Sequence, residues 1–223
     1  MKEFAIKKFD IEKYDSILAR GLSSGLGERE AQVCIEAAIC EALGLPHGDD
    51  PGCVAVAVRS FKITLNDSRW SSEKARAEGL RDLGLAQLGS LGVVNDAEFS
   101  KRLAEQTIRV LIPKLFRQIF AGGKNLEAAA LRCEKEGTSD AASDAARAAS
   151  DAASAAARAA SAAASAACYA ASDAARAASA ASAACYASAA CAKDTYLILT
   201  ASIALEVLRE LKSPGMALLA EVK

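Results

Sequence analysis

The sequence predicts an all-α fold with two parts. Apolar residues recur at helical spacing along most of the 223 residues, and the alternation of β-branched residues typical of strands is almost absent. Residues 141–192 contain 32 alanines and neither glycine nor proline, a composition that strongly favours helix. We therefore expect an N-terminal helical domain over residues 1–120, followed by an alanine-rich helical element with a C-terminal helix over residues 121–223.

The first two helices are placed by their boundary residues. Asp10 has the side chain of an N-cap, so we expect a helix from there to about Arg20, and the Gly- and Ser-rich segment 21–27 ends it. Residues 28–43 are apolar on most faces and carry a narrow polar stripe that includes Glu36. This pattern predicts a central helix with Glu36 on its polar side.

A third helix follows a short connection. Gly44 is the residue expected in a left-handed helix C-cap. Asp50 then offers an N-cap carboxylate, and Pro51 suits the first helical position because its missing N–H needs no partner there. We therefore expect a second buried helix over residues 52–65.

The next two helices also have recognisable starts. Ser71 or Ser72 can cap a helix that runs to about Gly89. Asn95, with Glu98 three residues later, has the spacing of a capping box. A long helix is therefore expected to begin at Asn95.

Three features place the remaining helices. The long helix should end near Phe120 and bend at Pro113, which removes one backbone hydrogen bond. Residues 124–136 are expected to form another helix, which ends before Gly137. Asp194 can cap a terminal helix that ends near Lys212.

The alanine-rich segment repeats at about every 11 residues, which is close to three helical turns. Its Ser, Asp, Arg and Tyr side chains project onto one strip, and alanine covers the rest of the helix surface. An alanine surface that wide exceeds what one neighbouring helix covers, so it predicts helix packing on two sides or self-association. A solvated spacer helix is the alternative. The segment makes either one long helix or a hairpin.

Charge and composition narrow the classes of function. The chain has 27 basic and 28 acidic residues, so a strongly cationic nucleic-acid binder is not indicated. The N-terminus lacks a secretory signal, the apolar run 196–211 is interrupted by charges, and the seven cysteines do not form a secreted disulfide framework. We expect a cytoplasmic, non-membrane protein with reduced thiols.

A group of polar and thiol side chains lies close in sequence to the single histidine, His47. A cysteine-dependent hydrolase would need His47 and Asp49 with Cys34 or Cys53, and a helix N-terminus beside Cys53 would lower the pKa of that thiol. The alternative is a structural interhelical loop, because glycine, proline and aspartate are the residues that a tight turn requires. The Cys/His spacing matches no recurrent zinc motif and no phosphate-binding glycine motif occurs, so neither a metal nor a cofactor is predicted.

Other residues are candidates for contact with a ligand or partner. Trp70 lies among hydrogen-bonding side chains just before a helix start, although anchoring to the core is the alternative for this residue. The polar strip of the alanine-rich segment supplies a second group. The candidate contact residues are Asn66, Asp67, Arg69, Trp70, Arg76, Arg147, Arg158, Tyr169, Arg176 and Tyr186.

Several segments between Cys34 and Gln87 resemble a known group of proteins: CIEAAICEALGLPHGDDPGCV, FKITLND and RAEGLRDLGLAQLGS. They are similar to an uncharacterised family of bacterial and phage-associated proteins, for which no activity is implied. The alanine-rich repeats resemble those of some proposed immunity proteins. These resemblances imply a mobile-element or defence-related setting, either anti-defence or immunity.

Two functions remain open from the sequence. The first is a non-enzymatic helical protein that binds a protein partner or forms a homo-oligomer. The second is a small-ligand binder or cysteine-dependent hydrolase built on Cys34, His47, Asp49 and Cys53.

Overall fold

A computed structural model describes residues 8–119, 124–152 and 194–221. Every regular element in these ranges is helical, so the predicted all-α fold is confirmed. The chain forms two compact units: the first comprises Met1–Ala104 together with Lys193–Lys223, and the second comprises Glu105–Ala192.

The helices of the described residues are numbered in chain order. They are α1 (Ile11–Leu18), α2 (Ile35–Ala42), α3 (Val56–Asn66), α4 (Glu73–Ala86), α5 (Asp96–Gln106), a π-helical segment (Thr107–Leu111), α6 (Ile112–Ile119), α7 (Lys124–Glu136), α8 (139–152), α9 (194–210) and α10 (Met216–Glu221).

Helices α2 and α4 form the centre of the first unit. All eight residues of α2 are buried, and α4 contacts α1, α2, α3 and α10. The hydroxyl group of Tyr14 on α1 donates a hydrogen bond of 3.0 Å to the carbonyl oxygen of Arg81 on α4. The core between these helices is aliphatic and includes Ile35, Ile39, Leu80, Leu83 and Leu88.

The C-terminal helices complete this same core. Ala204, Val207 and Leu208 of α9 and Leu218 of α10 are buried in it. The hydroxyl group of Ser213, between the two helices, donates a hydrogen bond of 2.6 Å to the carbonyl oxygen of Ala86. The sequence-based division at residue 120 differs from this grouping, because it assigned the C-terminal helix to the alanine-rich part.

Helix α2 begins later than its apolar pattern predicts. Residues 28–34 are not helical, because Val33 makes isolated backbone bridges to Leu22 and Gly27. The backbone amide of Cys34 also donates to the carbonyl oxygen of Leu26 at 3.0 Å. These tertiary contacts override the helical periodicity, and the helix starts at Ile35.

Helix α3 also starts later than expected. Its N-cap is Ala55, which has no side chain able to accept a hydrogen bond, and the first helical residue is Val56. The Asp50 carboxylate instead accepts from the backbone amide of Gly52 at 2.9 Å, which closes a tight turn. The predicted Asp50 cap and Pro51 start are therefore wrong.

Four other predicted boundaries are confirmed. The side chains of Asp10, Ser72 and Asn95 accept hydrogen bonds from backbone amides three residues later, at 2.9–3.0 Å. Gly44 adopts the left-handed conformation with φ +71°. These boundaries depend on hydrogen bonds between residues close in sequence and on the conformational freedom of glycine, so the sequence alone predicts them.

The second unit contains a π-helical turn just before Pro113. Proline cannot donate the backbone hydrogen bond that a regular helix needs, so a widened turn fits this position. The side chain of Arg109 leaves this turn and donates to the carbonyl oxygens of Glu134, Lys135 and Glu136 at 2.7–3.0 Å. Arg109 thereby caps the C-terminal end of α7.

The second unit has a core of small side chains. Phe116 and Leu126 pack with Ala130, Ala141 and Ala145, the last three having almost no exposed surface. The helix α8 therefore uses alanine for close packing, as its composition predicts. Most of the alanine-rich segment, residues 153–193, lies outside the described residues.

Candidate functional site

The first unit contains a buried polar cluster formed by Glu36, Lys62 and Gln87. A Glu36 carboxylate oxygen, Oε1, lies 3.1 Å from Lys62 Nζ, and both side chains have no exposed surface. The other oxygen, Oε2, accepts a hydrogen bond of 2.9 Å from Gln87 Nε2. Burial lowers the pKa of Lys62, and the adjacent Glu36 carboxylate opposes that shift.

This cluster is incompletely hydrogen-bonded. Lys62 Nζ and Glu36 Oε1 are ion-pair partners at 3.1 Å, and neither atom has another hydrogen-bond partner among the described residues. Gln87 Oε1 is buried and has no hydrogen-bond partner there. Buried polar atoms in proteins nearly always have partners, so this cluster has unused hydrogen-bonding capacity at the centre of the unit.

A cavity of about 220 Å³ lies against the cluster. Its wall combines the loop before α2, the start of α2, the loop before α3 and the end of α3. The lining residues are Gly25, Leu26, Cys34, Ile35, Glu36, Asp49, Ile63, Asn66 and Asp67. Four residues predicted from the sequence therefore come together here: Cys34, Asp49, Asn66 and Asp67.

Asn66 fixes the shape of this cavity. Its fully buried amide accepts from the backbone amide of Ile35 at 3.3 Å and donates to the carbonyl oxygen of Ser23 at 3.0 Å. Asp67 Oδ1 accepts from Gly25 N at 2.7 Å and from Asn66 Nδ2 at 2.9 Å. The end of α3 thus holds both the start of α2 and the loop that covers the cavity.

The thiols in this region are buried. Cys34 is the N-cap of α2, and its sulfur accepts from the backbone amide of Ala37 at 3.4 Å. Burial nevertheless raises the pKa of Cys34 and of Cys53, and raises the pKa of Cys40 to about 12. The expected lowering of the Cys53 pKa is therefore wrong. Cys53 lies three residues before α3, and burial raises its pKa by more than hydrogen bonds from nearby backbone amides lower it.

His47 does not pair with a thiol among the described residues. Its Nε2 atom lies 3.3 Å from the carbonyl oxygen of Gly27, and its Nδ1 atom is buried without a hydrogen-bond partner. The neighbouring Asp49 carboxylate lies 3.6 Å from Arg59. The loop thus holds the histidine against backbone, and the hydrogen bonds of a Cys–His–Asp triad are not formed in the described part of the chain.

The residues predicted around Trp70 have different roles. The Trp70 indole donates to the carbonyl oxygen of Leu65 at 2.9 Å, and its ring packs on Gly79. Arg76 is also buried and donates to the carbonyl oxygen of Asn66 at 2.8 Å. Both side chains therefore hold the core and loops together, whereas Arg69 is exposed.

The candidate contacts of the alanine-rich segment are mostly outside the described residues. Arg147 lies on α8, is largely exposed and forms an ion pair with Asp144. The remaining candidates, Arg158, Tyr169, Arg176 and Tyr186, all fall within residues 153–193.

Sequence analysis missed the roles of Glu36, Lys62 and Gln87. Glu36 was expected on a polar stripe, but it is fully buried. A usable signal existed for Lys62, because Val58, Lys62 and Leu65 have the spacing of one helix face. The buried residues of α3 lie on that face.

The geometry defines an all-α helical protein with a polar cavity. Comparisons with family models, curated proteins and solved structures found no match to this chain. Within the described ranges, no group of three or more His, Cys, Asp or Glu residues is placed to hold a metal ion. No helix in those ranges has both the length and the apolar character needed to span a membrane.

Proposed function

We propose that this chain is a non-enzymatic helical interaction protein that associates with a second copy of itself. The observation that carries the proposal is an exposed apolar patch on the first unit, which we call the valine–leucine patch. It consists of Val56, Leu91 and Val93, whose exposed fractions are 59%, 42% and 38%.

Val56 begins α3, Leu91 and Val93 lie on the loop before α5, and hydrogen bonds hold the segment that leads into α3 beside that loop. The backbone amide of Leu91 donates to the carbonyl oxygen of Cys53 at 3.0 Å. The backbone amide of Ala55 donates to the hydroxyl group of Ser90 at 2.9 Å. Because both segments are fixed in this way, the patch is presented on a preformed backbone, which lowers the entropy cost of binding.

A second copy is the partner that the charge of the chain favours. The net charge is −1, so two copies repel each other little, and a near-neutral chain associates more readily than a highly charged one. Three side chains cover less than the roughly 800 Å² per partner of a standard interface, so we expect a reversible association. The alanine-rich composition of residues 141–192 also predicts helix packing on two sides or self-association.

Buried thiols support the non-enzymatic part of the proposal. A cysteine nucleophile needs an accessible thiolate, and burial raises the pKa of Cys34 and Cys53 instead. The resemblance to phage-associated proteins adds a defence-related role, either anti-defence or immunity, as the setting for such an interaction.

Sedimentation velocity across a wide concentration range tests the proposal. We expect the parent protein to associate as concentration rises, and Val56→Asp and Leu91→Asp to stay monomeric. Aspartate at position 56 occupies the first helical residue of α3, where a negative charge favours the helix. Circular dichroism checks that each variant is folded.

Val110→Asp is the matched control, because Val110 is 41% exposed and lies in the second unit. It should associate as the parent does. A parent protein that is monomeric at every concentration, or patch variants that associate like the parent, would overturn the proposal.

A further inference from the structure

We propose that the side chains of Lys62 and Gln87 join in a covalent amide, an isopeptide bond, and that Glu36 catalyses this single reaction within the chain. The bond connects α3, which contains Lys62, to the C-cap of α4, which is Gln87. It is a modification of the chain by itself, with no external substrate. The site is independent of the valine–leucine patch.

Glu36 holds the two reacting groups on its two carboxylate oxygens. The amine nitrogen of Lys62, Nζ, lies 3.1 Å from Oε1. The amide nitrogen of Gln87, Nε2, donates a hydrogen bond of 2.9 Å to Oε2. One carboxylate thus lies between a nucleophile and a leaving group, where it can carry protons from one to the other as a general acid–base catalyst.

The three side chains react in a dry interior. The exposed fraction of Glu36, Lys62 and Gln87 is 0% in each case. Burial limits the access of water, which would otherwise hydrolyse the Gln87 amide. Packing against one carboxylate also replaces the encounter of two free reactants, which removes much of the entropy cost of a reaction between an amine and an amide.

The reaction needs Lys62 as an unprotonated amine. Burial lowers the pKa of Lys62, and the adjacent Glu36 carboxylate opposes that shift. Moving one proton from Lys62 Nζ to Glu36 Oε1 converts the ion pair into a neutral amine and a neutral carboxylic acid. The interior favours this neutral pair more than water does, because both charges lose their hydration on burial.

The bond changes balance without an added reagent. The lone pair of Lys62 Nζ attacks Gln87 Cδ and forms the new carbon–nitrogen bond. Nζ gives a proton to Glu36 Oε1, and the Glu36 carboxylic acid gives a proton to Gln87 Nε2. The bond between Cδ and Nε2 then breaks, and ammonia leaves. The Glu36–Lys62 ion pair is the state of the chain before this reaction.

Intact mass spectrometry of the freshly purified full chain, followed over days at neutral pH, tests the inference. We expect the folded chain to lose the mass of one ammonia molecule. Trypsin does not cut after a lysine whose amine is an amide, so digestion should give a branched peptide that joins residues 60–69 to residues 82–101. The chain unfolded in guanidinium chloride should not form this peptide, because the three side chains are then apart.

Two substitutions separate the roles of the side chains. Glu36→Gln keeps the size of the side chain but not its acid, and it should slow formation of the branched peptide by about 100-fold or more. Lys62→Arg keeps the positive charge and removes the reactive amine, so it should give none. Lys74→Arg is the matched control, because Lys74 is an exposed lysine on α4, and it should react at the parent rate. Circular dichroism checks that each variant is folded.

Three results would overturn the inference. The first is a folded parent chain that keeps its full mass. The second is a loss of ammonia or water without the peptide that joins Lys62 to Gln87, including a bond from Lys62 to Glu36. The third is a folded Glu36→Gln variant that reacts at the parent rate. None of these results depends on self-association, so they leave the interaction proposal to its own test.

Discussion

At the scale of single residues, the buried ion pair between Glu36 and Lys62 has the largest predicted effect on stability. Lys62→Met leaves the Glu36 charge buried without its partner, so we expect the free energy of unfolding to fall by about 3–5 kcal/mol. Adding Glu36→Leu to that variant should recover most of the loss, because the unpaired charge is then removed. Urea unfolding followed by fluorescence of Trp70, the only tryptophan, measures both effects in the first unit.

The matched control for this ion pair is Lys74→Met. Lys74 and Glu78 form an exposed pair at 3.9 Å on α4, and such surface pairs contribute under about 1 kcal/mol. Equal effects of Lys62→Met and Lys74→Met on the free energy of unfolding would contradict the burial of the Glu36–Lys62 pair.

Thiol reactivity gives a second prediction at the same scale. Native Cys34, Cys40 and Cys53 should react with iodoacetamide more than about ten-fold slower than the same residues in urea, because burial keeps these thiols protonated and inaccessible. Peptide mass spectrometry resolves the individual sites. Rapid alkylation of Cys34 or Cys53 in the folded protein would instead favour the cysteine-dependent hydrolase.

At the scale of the elements, close approach between α1 and α4 depends on a glycine. A Cβ atom added at Gly84 would overlap Tyr14 Oη, so Gly84→Ala should destabilise the first unit by about 1–3 kcal/mol, although alanine is the better helix former. In a Tyr14→Phe background the same change should cost less, because the overlapping atom is gone. Urea unfolding of the four proteins measures the coupling, and strictly additive effects would contradict this account.

Local chemistry explains which elements the sequence predicts correctly. The starts of α1 and α4 depend on Asp10 and Ser72, each bonded to an amide three residues away. The start of α2 depends instead on Val33 reaching Leu22, a contact that helical periodicity does not contain. Helix boundaries were therefore predictable where a cap is local, and mistaken where a tertiary contact replaces a turn of helix.

The candidate site was only partly predictable for the same reason. The chemistry of Cys34, Asp49 and Asn66 makes them candidates from the sequence alone. Their placement in the site does not follow from the sequence, because Asn66 contacts the start of α2 across 31 positions. The carboxylate of Glu36 was misplaced, because an apolar helix with one polar stripe gives no sign that a partner lysine lies on the next helix. Pairing of buried charges is a property of the packed helices, and one sequence does not specify it.

At the scale of the whole molecule, the two ends of the chain share one core. Leu208 on α9 is fully buried among residues of α1 to α4, although it lies more than 100 residues after them. The alanine-rich composition of residues 141–192 sets this segment apart from the N-terminal part, but it does not show which core a later helix joins. The first unit is therefore completed only when residues near the C-terminus reach it.

Leu208→Ala tests whether the C-terminal helix completes the core of the first unit. We expect the free energy of unfolding measured by Trp70 fluorescence to fall by about 2–5 kcal/mol, because the change leaves a cavity in the core that contains Trp70. Leu131→Ala is the control, since Leu131 is 53% exposed on α7 of the second unit and should leave the Trp70 transition unchanged. If the C-terminal helix stabilised only the alanine-rich part, Leu208→Ala would leave the Trp70 transition where it is in the parent protein.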